Sequence, residues 1–217
     1  MEAYNQVFKN NEVWVNGMLQ KDPKFFEELA KDQTPTFLYI GCADSRVPAN
    51  VIMGLDPGEI FVHRNIANLV VNTDLNAQCV IEYAVEVLNV KHVIVCGHYG
   101  CGGVKAALVP KDLGILNGWL REIRDVYRLH KTDLERFKDE EERHKYLVEL
   151  NAKEQAANIV KTAVYQKSKL STGYPMVHAC VYDLKNGLLK DLGFDEDTAL
   201  KRIQEVYDLH DEVESKS

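Results

Sequence analysis

One stretch decides the fold of this chain: Val93-Ile94-Val95-Cys96-Gly97-His98-Tyr99-Gly100-Cys101-Gly102-Gly103. An apolar run leads directly into a glycine-rich turn, which is typical of a buried strand that ends at the edge of a sheet. Upstream, Thr36-Phe37-Leu38-Tyr39-Ile40-Gly41 leads in the same way into Cys42-Ala43-Asp44-Ser45-Arg46. Two strands therefore carry polar residues at their carboxyl ends, where open parallel sheets bind ligands.

The candidate metal ligands at these two strand ends are Cys42, His98 and Cys101. Two thiolates and one imidazole suit zinc, and three protein ligands leave a fourth position open, as in catalytic zinc sites. The neighbouring glycines permit a positive φ and a close approach of the backbone. The remaining cysteines, Cys79, Cys96 and Cys180, are interpreted as core residues.

Asp44 and Arg46 follow Cys42 closely enough to reach the rim of the same site. A carboxylate beside an arginine stays ionised and oriented. It can then accept a hydrogen bond from a metal-bound water, or it can become a fourth metal ligand itself. The alternative is a turn with an ordinary surface salt bridge.

The composition narrows the class of protein. The chain has 217 residues, 46% of them hydrophobic, and a net charge of −7. This predicts a single domain over residues 1–217 that binds no nucleic acid. The sequence contains no apolar run of the roughly 18 residues that a membrane span needs. A start without an apolar leader and an odd number of cysteines, five, predict a cytoplasmic protein with reduced thiols.

Alternating apolar runs and helical periodicities predict an α/β fold: a mostly parallel β-sheet with one antiparallel edge strand, flanked by helices. Asn186-Gly187 predicts the hairpin that adds the edge strand. The predicted strands are 36–41, 59–64, 92–97, 175–182 and 188–191, and the predicted helices are 76–89, 102–108, 114–130, 141–167 and 195–208.

Three segments are expected to differ from this core: the two ends of the chain and one link within it. Residues 1–34 predict a helical arm, interrupted at Asp22-Pro23, whose apolar face packs either on a partner subunit or on the chain's own sheet. The charge-rich residues 131–146 predict a solvated link, and residues 211–217 predict a frayed tail.

Several motifs, in the family order and spacing, resemble those of the β-class carbonic anhydrases. The resemblance extends from about residue 5 to residue 208. The motifs are Cys42-Ala43-Asp44-Ser45-Arg46-Val47-Pro48, Pro57-Gly58-Glu59, Arg64-Asn65-Ile66-Ala67-Asn68, Ile81-Glu82-Tyr83-Ala84-Val85 and Gly97-His98-x-x-Cys101-Gly102-Gly103.

This resemblance implies an enzyme with one zinc ion per subunit that interconverts carbon dioxide and bicarbonate, built as a homodimer or homotetramer. Cys42, His98 and Cys101 would bind the zinc. Zinc-bound hydroxide would attack carbon dioxide while Asp44 and Arg46 act as a catalytic dyad. In a closed state Asp44 would become the fourth ligand.

Further residues take roles only from the resemblance. The substrate-binding positions would be Gln33, contributed by the neighbouring subunit, together with Phe61, Tyr83 and Gly102. On pattern alone, Phe61 and Tyr83 predict core residues and Gln33 an exposed loop residue.

A regulated subgroup of the family closes the site by binding bicarbonate in a separate pocket. The matching positions are Tyr39, Arg64 and Tyr182, with Tyr39 in place of the family's usual tryptophan. The alternative is that both tyrosines only pack and that Arg64 pairs with a carboxylate.

Two other functions fit the same residues. Some relatives with the same zinc and dyad residues hydrolyse carbon disulfide or carbonyl sulfide. A non-catalytic zinc-binding or redox-sensing protein could instead pair Cys42 and Cys101 in a reversible disulfide, although such a protein would need neither Asp44 nor Arg46.

Overall fold

The computed structural model describes residues 1–214, which form two compact units: Met1–Thr34, and the part of the chain from Pro35 onward. The larger unit is built on a five-stranded sheet in the order β2-β1-β3-β4-β5. Its strands are β1 Phe37–Cys42, β2 Ile60–Asn65, β3 His92–His98, β4 Met176–Asp183 and β5 Leu188–Asp191.

Strand pairing confirms the predicted α/β class. β1 runs parallel to both β2 and β3, and β3 runs parallel to β4. β4 and β5 pair antiparallel, and the turn between them contains Gly187 at φ 74°. The carboxyl ends of β1 and β3 are therefore neighbours, which is the arrangement that the sequence predicts for the candidate ligands.

Helices surround this sheet. They are α3 Ala49–Met53, α4 Leu75–Glu82, α5 Gly102–Ala107, α6 Leu116–Trp119, α7 Arg121–Leu129, α8 Lys131–Leu134, α9 Glu140–Val160, α10 Ala163–Thr172, α11 Glu196–Gln204 and α12 His210–Glu214. The last helix covers part of the predicted tail 211–217, and residues 215–217 lie outside the described residues.

Three predicted helices are divided in the structure. The predicted helix 141–167 ends at Val160, and Thr162 caps a new helix by accepting a hydrogen bond from the amide of Tyr165. The predicted helix 114–130 is divided between α6 and α7, and 76–89 continues beyond α4 as a wider turn of helix over Tyr83–Val87. The apolar periodicity of the sequence continues across each of these helix ends, so the periodicity alone does not predict where the helices are divided.

One face of the sheet holds the main core. Leu38 and Ile40 of β1 and Val93 and Val95 of β3 are fully buried there. Helix α9 packs across this face and contributes Ala152, Ala156 and Ile159 among others. The same helix continues to the carboxyl edge of the sheet, where Leu147 and Val148 join a second apolar cluster that contains Cys42 and Cys101.

The smaller unit consists of helices α1 Glu2–Lys21 and α2 Phe25–Leu29, separated at the predicted break. Neither helix has a buried residue. The rings of Trp14 and Phe26 meet edge to face at 5.5 Å between centroids.

Over residues 1–214, no helix combines the length and the apolar character that a membrane crossing requires.

Candidate metal centre and active site

The fold brings the three predicted ligands together. Cys42 is the last residue of β1, His98 is the last residue of β3, and Cys101 stands immediately before α5. Their ligand atoms all lie within 4.8 Å of one another, and the two sulfur atoms are 3.9 Å apart. All three side chains are buried, so the surrounding structure holds their positions, unlike those of side chains that meet by chance on the surface.

The histidine ring fits a metal ligand in its orientation. His98 Nδ1 lies 3.1 Å from the carbonyl oxygen of Tyr99, and donating a hydrogen bond to that carbonyl would leave Nε2 as the free acceptor. Nε2 is buried and has no hydrogen-bond partner among the described residues. A buried polar atom without a partner is costly, and a cation bound between the two sulfur atoms would satisfy it. The donor set therefore fits zinc.

The two thiols of the cluster differ in acidity. Their mutual hydrogen bond lowers the pKa of Cys42 to about 4, with further contributions from His98 and from the amides of Ala67 and Asp44 that outweigh burial. The same hydrogen bond, together with burial, raises the pKa of Cys101. A bound cation would favour ionisation of both thiols.

Asp44 and Arg46 form an ion pair at the rim of the cluster. The guanidinium hydrogen bonds hold the pKa of Asp44 well below its usual range. The Asp44 side chain is 18% exposed and that of Arg46 is 58% exposed, so the pair adds little to stability. Asp44 Oδ2 lies 3.7 Å from His98 Nε2, which places a charged acceptor beside the open side of the cluster.

Arg64, on β2, holds the backbone of residues 42–44 by two hydrogen bonds. Its Nε donates to the carbonyl of Cys42 at 2.9 Å, and its Nη2 donates to the carbonyl of Asp44 at 2.5 Å. Sequence reasoning missed this role, because it expected the guanidinium to face either an anion or a carboxylate.

The turn that follows β2 packs beside the cluster through Ala67. The amide of Ala67 faces the sulfur of Cys42 and helps to lower the pKa of that thiol. A Cβ atom added to Gly103 would lie 2.8 Å from Ile66 Cγ2 and 3.1 Å from Ala67 Cβ, so the turn also packs closely on the segment after Cys101. A side chain at position 103 could be accommodated only if these neighbours shifted.

Two of the residues predicted for the substrate pocket, Phe61 and Tyr83, pack against each other in the larger unit. Phe61 pairs with Leu38, four residues before Cys42, which is about 13 Å along a strand. Its ring packs at 5.8 Å from that of Tyr83, which is 43% exposed. Gln33 is an exposed residue of the smaller unit.

Gly102 stands in open space at the first turn of α5.

The two tyrosines predicted for the bicarbonate pocket pack into one apolar cluster with Cys96. Tyr39 is 1% exposed and its hydroxyl interacts with Cys96, while burial raises its pKa. A Cβ at Gly41 would overlap the Tyr39 ring, so the ring lies directly over that glycine.

Tyr99, the residue after His98, belongs to a hydrogen-bonded group with Glu149 and Lys190. Lys190 of β5 donates to Glu149 of α9 at 2.7 Å, and Tyr99 donates its hydroxyl to the same carboxylate. Sequence reasoning missed this group. Its only signal is Glu149, a carboxylate that lies close to the apolar positions Leu147, Val148 and Leu150 of α9.

Comparisons with known proteins agree with this site. A family model described as carbonic anhydrase matches residues 37–189. A carbonic anhydrase of Emericella nidulans is 56% identical over 208 residues, which cover 96% of this chain and 91% of that protein. The crystal structure of the β-carbonic anhydrase CafA of Aspergillus fumigatus has a TM-score of 0.89 at 39% identity, covering 95% of this chain and 99% of that one.

A tetrameric β-carbonic anhydrase of Sordaria macrospora has a TM-score of 0.84 at 36% identity, covering 89% of this chain and 98% of that one. With this fold and these relatives the protein is an enzyme, a lyase. The chain belongs to the β-class carbonic anhydrase family, as its motifs predict.

Proposed function

We propose that the protein catalyses the reversible hydration of carbon dioxide to bicarbonate and a proton, with one zinc ion held by Cys42, His98 and Cys101. The observation that carries this proposal is the buried cluster of two thiols and one imidazole within 4.8 Å, with a charged carboxylate at its open side. Zinc bound there would lower the pKa of a water molecule and supply hydroxide near neutral pH.

The remaining residues orient the reactants. Asp44, kept ionised by Arg46, offers a hydrogen-bond acceptor beside the open position of the cluster. An acceptor at that place fixes the orientation of the nucleophile, so that a lone pair faces carbon dioxide. The Arg64 hydrogen bonds to the carbonyls of Cys42 and Asp44 hold the backbone that carries both residues.

The first experiment is stopped-flow carbon dioxide hydration from about pH 6.5 to about pH 9 on protein of verified zinc content. Hydration that requires zinc supports the proposal. Zinc-loaded protein that fails to hydrate carbon dioxide but hydrolyses carbon disulfide or carbonyl sulfide would replace it with the alternative reaction. Zinc-loaded protein that is inactive on every substrate would indicate a binding or redox-sensing role.

We also propose that bicarbonate inhibits the enzyme through Tyr39, Arg64 and Tyr182. The supporting observation is that Arg64 holds the carbonyl of Asp44, so an anion that drew the guanidinium away would release that segment. Inhibition is expected to be cooperative with bicarbonate concentration and to be lost in Arg64→Ala. Cooperative inhibition that persists in this variant would contradict the proposal.

We further propose that the chain associates with itself through residues 1–34. Helix α1 has no buried residue and exposes Tyr4, Phe8, Val13 and Trp14. Apolar surface of this kind is typical of an interface. Light scattering on the full chain is expected to give a dimer or a tetramer, and a smaller species for Trp14→Asp. A monomeric full chain would overturn this proposal.

A further inference from the structure

Helix α9 carries three amide side chains on its buried side. They are Asn151, Gln155 and Asn158, and the first two are only 1% and 2% exposed. Buried amides destabilise a fold unless they form hydrogen bonds, so their partners indicate why they are there.

All three side chains bind the backbone of the turn that follows β2. Asn151 Nδ2 donates to the carbonyl of Ala67 at 3.0 Å. Gln155 Oε1 accepts from the amide of Val70 at 2.8 Å, and Asn158 Nδ2 donates to the carbonyl of Val70 at 3.0 Å. Gln155 also donates to Asn151 at 3.2 Å, which joins the amides into one ladder.

The turn held by this ladder has an unusual backbone. Ala67 and Asn68 have φ angles of 65° and 51°, in the left-handed region that favours glycine. Non-glycine residues keep such angles only where the surroundings hold them. Here the surroundings that hold Ala67 include a side chain 84 residues further along the chain.

Ala67 also contacts both segments that carry the thiols. It is fully buried in the same cluster as Cys42 and Cys101. Its amide faces the sulfur of Cys42, and its Cβ would lie 3.1 Å from a Cβ atom added to Gly103, two residues beyond Cys101. The amide and the carbonyl of Ala67 thus face different partners: the amide lies on the side of the cluster, and the carbonyl is bound by the Asn151 side chain.

We propose that Asn151 is a positioning residue for the metal centre: it holds Ala67 in the left-handed conformation that directs its amide at the Cys42 thiolate. This inference rests on the proposed zinc site. The hydrogen bonds that Asn151 forms in the described residues go to the carbonyl of Ala67 and to the side chain of Gln155, so it would act on the cluster through Ala67. An amide hydrogen bond stabilises a thiolate ligand and restricts its orientation.

The test compares Asn151→Leu with Asn158→Leu. Both replacements are close in size to asparagine, both remove an amide that binds the turn backbone, and only the first removes the contact with Ala67. Cobalt(II) replaces zinc as the probe, because its thiolate charge-transfer absorption reports directly on the sulfur ligands. Cobalt affinity, the absorption spectrum and stability to denaturant are measured for each variant and for the unmodified chain.

We expect Asn151→Leu to lower cobalt affinity about tenfold or more and to shift the thiolate absorption to lower energy, since an unbonded thiolate donates more readily. Asn158→Leu should lose stability but keep the affinity and the spectrum. If Asn151→Leu does not fold, Asn151→Ser provides the same comparison with a smaller change.

Two results would overturn the inference: an Asn151 variant with the spectrum and affinity of the unmodified chain, or an Asn158 variant that weakens cobalt binding equally. In both cases the unmodified chain still shows thiolate-bound cobalt and the proposed function stands. If the unmodified chain shows no such absorption, the zinc site itself is refuted.

Discussion

Arg46 holds Asp44 in a two-point grip, in which Nε donates to Oδ1 at 2.9 Å and Nη2 donates to Oδ2 at 2.7 Å. The backbone amide of Arg46 also donates to Oδ1, at 3.0 Å. Both oxygens of the carboxylate are therefore fixed in direction, which a single contact would not achieve.

Replacing Asp44 with asparagine tests the orienting role. The amide keeps the size of the carboxylate but loses its charge and presents only one acceptor oxygen. We expect turnover to fall by about a hundredfold or more, while zinc stays bound, because Asp44 is not among the three ligands. Stopped-flow hydration and metal analysis of the same sample measure both quantities. Near-normal turnover would refute the role given to Asp44.

Arg46→Lys tests the geometry of the grip at constant charge. A lysine ammonium cannot reproduce the two parallel hydrogen bonds of the guanidinium. We expect turnover to fall about tenfold, less than in Asp44→Asn. The matched control is Arg128→Lys, because Arg128 pairs with Asp125 on the exposed surface of α7. Equal turnover in the two lysine variants would show that the grip is dispensable.

The charge of the donor set determines the expected pH dependence of activity. Two thiolates offset the charge of a zinc ion, so less positive charge remains to stabilise hydroxide than with three neutral histidines. We therefore expect hydration activity to keep rising above neutral pH. The rate is measured across the pH range at constant ionic strength. A profile already at its maximum by about pH 6.5 would contradict this expectation.

The close packing at Gly103 predicts a difference between two neighbouring glycines. An added methyl group at Gly103 would meet Ile66 and Ala67, whereas one at Gly102 would meet open space. We expect Gly103→Ala to lower the free energy of unfolding by about 1–3 kcal/mol and Gly102→Ala to leave it nearly unchanged. Denaturant titration of the metal-free variants measures both. Equal stability of the two variants would show that the turn can shift at little cost.

His63, which is not one of the candidate metal ligands, gives the fold a pH dependence of its own. Burial lowers its pKa below the ordinary value, against a smaller opposite effect of Asp74. The folded state thus favours the neutral ring. The stabilisation is complete above the unfolded pKa of about 6.5 and is lost as the pH falls through the lower folded pKa.

NMR titration of the His63 ring should therefore give a midpoint below about 6.5. Stability to denaturant should decline on acidification, and His63→Gln should remove part of that decline. A midpoint above the ordinary value would contradict the expected sign.

The strands and the cluster of candidate metal ligands could be predicted because their signals are local. The apolar run before His98 and the glycines beside Cys42 and Cys101 mark two strand ends, and the geometry of a parallel sheet brings such ends together. No knowledge of distant contacts is needed for this step.

The conformation of Ala67 could not be predicted in this way. Nothing in its own sequence favours a positive φ, and the angle is held by Asn151 on another element. The sequence does carry a signal on the other side of this contact. Asn151, Gln155 and Asn158 recur at helical spacing beside the apolar positions Ala152, Ala156 and Ile159. Amide side chains on the buried face of a helix need hydrogen-bond partners, so they indicate that the helix binds the backbone of a neighbouring segment.

Helix α1 has twenty residues and no buried side chain in the isolated chain. In proteins, helices gain most of their stability from packing of an apolar face and not from intrinsic propensity. Under the proposed self-association through residues 1–34, the helix content of α1 should depend on protein concentration. Dilution would unfold the helices of residues 1–34, while the sheet and its helices would stay folded. The helix content of this arm would then report the concentration of protomers.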